Sequence, residues 1–107
     1  MNNKVFEMVK LDKYSKRKIS NNISFKREVD YVEYYPYRSA KVQDIFMMIN
    51  LDTDIGMELR NGLADLFHAD GDNHHCYGLF DKDKHPIMYI WFEDQKILFG
   101  KSIMIID

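Results

Sequence analysis

The chain has 107 residues, 46% of them hydrophobic, 14% aromatic and 30% charged, which suits one packed core of ordinary domain size and excludes a disordered chain. No apolar run reaches the roughly 20 residues that span a bilayer, and the opening Met1-Asn2-Asn3-Lys4 lacks the apolar stretch of a signal peptide, so a cytoplasmic protein with no membrane partner is expected. The formal charge is only −2, but residues 1–30 hold eight Lys/Arg against four Asp/Glu, and residues 31–107 hold seven against thirteen.

Val5 to Leu11 reads as a short strand, with Phe6 and Met8 on one face. Asp12 to Asn22 holds Ser15, Ser20, Asn21 and Asn22, which bond their own backbone, and reads as a basic loop. Ile23 to Tyr35 is rich in β-branched and aromatic residues and reads as a half-exposed strand that Pro36 ends. Ser39 then suits a helix N-cap, because Val42, Ile45, Phe46 and Ile49 follow at i, i+3, i+4 and i+7. Each of these four is expected to be buried against a sheet.

A second helix is predicted from Asp52 or Thr53, with Ile55, Leu59, Leu63, Leu66 and Phe67 on one face and Gly71 as its stop. Gly56 and Gly62 weaken it and suggest a kink near Asn61-Gly62. From Cys76 the pattern is β, as the runs Cys76 to Phe80, Ile87 to Phe92, Ile97 to Phe99 and Ser102 to Ile106, with the first two forming a hairpin. The Ile87 to Phe92 run is apolar on both faces and therefore central. The last run also needs cover, which insertion beside Ile87 to Phe92 or a homodimer would provide. The expected fold is α+β, two short helices packed on a mainly antiparallel sheet, as a single domain over residues 1–107 with residues 12–22 as its basic loop.

Few residues form a pattern that chemistry requires. His68, Asp70, Asp72 and His74 are candidate metal ligands by type, with Cys76, Asp81, Asp83 and His85 following. Their spacing fits no known ligand set, so the segment reads as a polar loop without a metal. Cys76 beside His74 and His75 opens an apolar strand and reads as a core residue, not a nucleophile. No glycine-rich phosphate loop is present, so no cofactor is expected. The basic run Lys13 to Lys18 is short, and the acidic body would repel a polyanion, which argues against a nucleic-acid partner. Tyr31, Tyr34, Tyr35 and Tyr37, with Arg38, are aromatics with polar tips of the kind enriched in protein interfaces. They are the expected partner-binding residues. On a strand, Tyr31 and Tyr35 share one face with Glu33, and Tyr34 takes the other.

Tyr35-Pro36-Tyr37-Arg38-Ser39 leading into Val42-Gln43-Asp44-Ile45, and Tyr77-Gly-Leu-Phe-Asp-Lys-Asp-Lys-His-Pro-Ile-Met-Tyr-Ile, resemble the first strand and helix and the second and third strands of the GNAT acetyltransferases. The acetyl-CoA pyrophosphate loop of that family has no counterpart, so the resemblance implies a shortened, non-catalytic relative. Abundant Ile, Lys, Asn and Tyr suggest an AT-rich genome. Small size, an absent catalytic signature and the tyrosines together point to a protein-binding inhibitor of a host enzyme or defence nuclease, anti-CRISPR-like, from a phage or mobile element and acting in the host cytoplasm. The alternatives are the GNAT-like relative and a metal-dependent enzyme using residues 68–85.

Overall fold

The computed structural model describes residues 8–20, 27–36, 39–67 and 75–105. Its elements are β1 (Val9–Lys10), α1 (Lys13–Ser20), β2 (Tyr31–Tyr35), β3 (Ala40–Asn50), α2 (Asp54–Phe67), β4 (Cys76–Phe80), β5 (Pro86–Glu93) and β6 (Lys96–Ile105). The six strands form one sheet in the order β1-β2-β4-β5-β6-β3, with antiparallel pairing throughout. This is the α+β fold expected, although one of its two helices lies elsewhere.

The predicted helix over 39–49 is strand β3, paired with β6 from Ala40 opposite Ile105 to Asn50 opposite Lys96. Both faces of this strand carry apolar residues, Ala40 and Val42 in a smaller cluster on one face and Met47 and Ile49 on the main core on the other. Apolar residues of both parities together imitate helical spacing. A register shift falls between Ile45 and Met47, and Asp44 takes the left-handed conformation (φ 48°) beside it. Of the four residues expected in the core, Val42 is buried and Ile49 half-buried, but Ile45 and Phe46 are 51% and 50% exposed. With this strand in place of a helix, the chain runs strand, strand, helix, strands from Tyr31 onward. The GNAT resemblance needs a helix at Val42-Gln43-Asp44-Ile45, and these residues are in β3.

The other helix, α1, occupies the expected basic loop. Asp12 caps it, its Oδ1 accepting from the Ser15 backbone N–H at 2.8 Å, and Ile19 anchors it at 4% exposure. Its remaining described side chains are polar or exposed, so one buried residue per two turns left no apolar stripe to read. Helix α2 begins as expected, with the Thr53 hydroxyl accepting from Gly56 N–H at 3.0 Å and Leu59 and Leu63 buried. It runs without a break through Asn61 and Gly62, and Ile55, placed in the core by its spacing, is 44% exposed. The expected stop at Gly71 lies outside the described residues, as do residues 5–7 of the first predicted strand and residues 23–26 of the second. Residues 27–30 precede β2 as irregular chain.

Hairpin β4–β5 forms as predicted, and β5 is central. The runs Ile97 to Phe99 and Ser102 to Ile105 are one strand, β6, which inserts between β5 and β3. Gly100 lies inside this strand, where β3 approaches closely. A Cβ there would stand 2.1 Å from Val42 Cγ1 and 2.3 Å from the Gln43 carbonyl oxygen, so the glycine lets β3 pass close over β6. One sheet face and the helices enclose the main core, in which Leu59, Leu63, Tyr77, Leu79, Ile90, Ile97 and Phe99 are at most 2% exposed. On the opposite face Ala40, Val42, Cys76 and Trp91 form a second, smaller cluster. No helix among the described residues is long and apolar enough to cross a membrane.

Candidate interaction surfaces

Strand alternation divides the tyrosine cluster. Tyr34 faces the main core, stacked on Phe67, Tyr77 and His75 with ring centroids 5.1, 5.2 and 5.3 Å away, and its hydroxyl shares a hydrogen bond with His75 Nδ1. It is a packing residue, 9% exposed. Tyr31, Glu33 and Tyr35 occupy the other face and are half-buried. Tyr37 and Arg38 lie outside the described residues.

Register then brings further rings to that face. Glu33 lies opposite Gly78, Gly78 opposite Tyr89 and Tyr89 opposite Gly100; the next row runs Tyr35, Cys76, Trp91, Leu98. A Cβ at Gly78 would lie 2.8 Å from the Phe80 ring and 2.9 Å from the Tyr89 ring, so both rings fold over the glycine. The Tyr89 centroid is 6.2 Å from that of Tyr35 and 6.2 Å from that of Phe80. The Tyr35 hydroxyl donates to Glu33. Burial pushes the Tyr35 phenol well above its ordinary range, and Glu33 adds to the effect; at Tyr89 burial and then the Glu33 charge act in the same direction. Lys84 Nζ sits 5.3 Å above the Tyr31 ring. Tyr89 and Phe80 were not legible as members of this surface, because only strand register connects them to β2.

The second surface is the free edge of the sheet. Among the described residues, β3 has β6 as its only ladder partner, and around the bulge it exposes Ile45 at 51%, Phe46 at 50% and Met48 at 54%. The opposite edge, β1, is two residues long. The C-terminal run is covered by insertion beside β5, as expected, and the edge of the sheet falls on β3.

No family model, curated protein or solved structure matches the chain.

His68, Asp70, Asp72 and His74, the candidate ligands, lie outside the described residues. Among the described ones, Asp81, Asp83 and His85 bring ligand atoms within 4.8 Å of one another, but Asp81 is already engaged. Its Oδ1 accepts from the backbone N–H of Asp83 and of His85, both at 2.9 Å, and its Oδ2 pairs with Arg27 Nη1 at 2.5 Å. These bonds build the β4–β5 turn. They also hold the Asp81 carboxyl below its ordinary range, the His85 N–H foremost. Cys76 is fully buried, and burial pushes its thiol far up, the reverse of what a nucleophile needs.

Proposed function

We propose that this chain is a small non-catalytic protein-binding domain that acts in the cytoplasm by occupying another protein's surface, as an inhibitor of a host enzyme or defence nuclease does. The observation that carries the binding reading is the β3 edge. A strand with unpaired backbone groups is a template for another strand, and Ile45, Phe46 and Met48 add exposed apolar side chains to it. The inhibitor class rests on the chain's size and composition, with a phage or mobile-element origin of the anti-CRISPR kind as the specific form.

The test is affinity capture from host lysate with the native chain and with an Ile45→Lys/Met48→Lys variant, followed by reconstitution of the captured complex from purified components. A protein retained by the native chain and lost by the variant, whose activity falls as the chain is titrated in, is the expected outcome. Capture that is indifferent to both lysines rejects the edge as the binding surface.

A further inference from the structure

We propose that the aromatic face around Glu33 receives a basic side chain, an arginine above all, presented by a protein partner. The inference rests on the protein-binding reading but uses the sheet face around β2 and not the strand edge of β3, whose Ile45 ends the same cross-strand row beyond Gly100. Glu33 is a half-buried carboxylate set between Tyr31 and Tyr35 on β2, with the Tyr89 ring folded over Gly78 beside it. The Tyr35 hydroxyl occupies one acceptor site on this carboxylate, and an ionised carboxyl has about four. Among the described residues no cation pairs with Glu33, whereas Asp30 and Asp81 are paired with Lys16 and Arg27.

The ligand chemistry follows from the surroundings. A metal ion needs several oxygen, nitrogen or sulfur donors converging on it, and the rows of Tyr31, Glu33 and Tyr35 offer one carboxylate among rings, the other on this face, Glu93, accepting from Trp91 two rows away. A guanidinium stacks on aromatic faces and forks onto a carboxylate, so it satisfies both features together. The same surface already holds a cation over a ring, Lys84 above Tyr31. Stacked nucleobases would bring phosphates toward Glu33 and an acidic body, which opposes them.

The test is an NMR titration of the full chain with N-acetyl-arginine methylamide and with the citrulline counterpart, a neutral isostere. The expected result is a saturable shift centred on the Tyr35 and Tyr89 ring signals, with citrulline weaker by about fivefold or more. Glu33→Gln should reduce the arginine response by a similar factor, while Asp65→Asn, a charge removed from the exposed side of α2, leaves it unchanged. Equal responses to arginine and citrulline overturn the proposal, as do equal losses in the two variants. Shifts in the native chain that map away from β2, β4 and β5, or that never saturate, overturn it without recourse to any variant. Because this measurement needs no partner protein, its failure is distinguishable from a failed capture at the β3 edge.

Discussion

The two glycines of α2 look alike in the sequence and differ in the fold. Gly56 lies against the turn that enters the helix, and a Cβ there would stand 2.5 Å from the Asn50 carbonyl oxygen, a contact with backbone that cannot rotate away. Around Gly62 a Cβ meets nothing within 4 Å. Gly62→Ala is therefore expected to stabilise by about 0.5–1 kcal/mol through helix propensity, and Gly56→Ala to destabilise by about 1–3 kcal/mol through overpacking. Paired urea melts check both signs; two changes of the same sign would contradict this placement of the helix. Asp81 makes a separate prediction. Its folded-state pKa lies below the ordinary 3.8, so its contribution to stability is fully present above that value and is lost as pH falls through the folded pKa. Asp81→Asn should lower the melting temperature at neutral pH and narrow its gap from the native chain as the solution is acidified below about pH 4. A gap that widens on acidification would reverse the sign.

Among the elements, β3 gives the sharpest contrast between two readings of one stretch. As a core helix residue, Phe46 would cost about 3–5 kcal/mol on truncation; as a half-exposed residue at the bulge of an edge strand, Phe46→Ala should cost about 1 kcal/mol or less. Phe99, 0% exposed on β6, should show the full penalty on truncation. Thermal melts of the two variants decide it, and comparable losses would restore a buried Phe46. The same strand shows what could be read in advance. β4 and β5 were legible because continuous apolar runs between polar turns have few other interpretations, as at Cys76 to Phe80. β3 was not, because its apolar residues serve both faces and the solvent, Val42 in the smaller cluster, Ile49 on the main core and Ile45 and Phe46 exposed, and their combined spacing coincides with a helical stripe. α1 was missed for the opposite reason, a short helix held by Asp12 and Ile19 with almost no stripe. At the surface, the division of Tyr31 and Tyr35 from Tyr34 followed from alternation alone, whereas Tyr89 and Phe80 join them only through the register of three strands.

Across the whole molecule, protection from water is uneven in a way that hydrogen exchange can read. β5 lies between β4 and β6, with Ile90 and Phe92 in the main core on one face and Trp91 in the second cluster on the other. From Tyr89 to Trp91 it is laddered to both neighbours, and opening this stretch requires disrupting the sheet, so its amides should exchange only through global unfolding. β3 has a ladder partner on one side only among the described residues. In an antiparallel pair, residues alternate between those that exchange hydrogen bonds with the partner and those that do not, so along Ile45 to Asn50 every second amide should point to solvent. An alternation of fast and slow exchange along β3, against uniformly slow exchange from Tyr89 to Trp91 in β5, is the expected pattern in dilute solution. A second copy paired on this edge would give a different result. The fast amides of β3 would then slow as concentration rises, in step with a doubled mass by light scattering. Uniform protection along β3 at every concentration would instead show that the edge is covered within the chain, and would remove the observation on which the protein-binding reading stands.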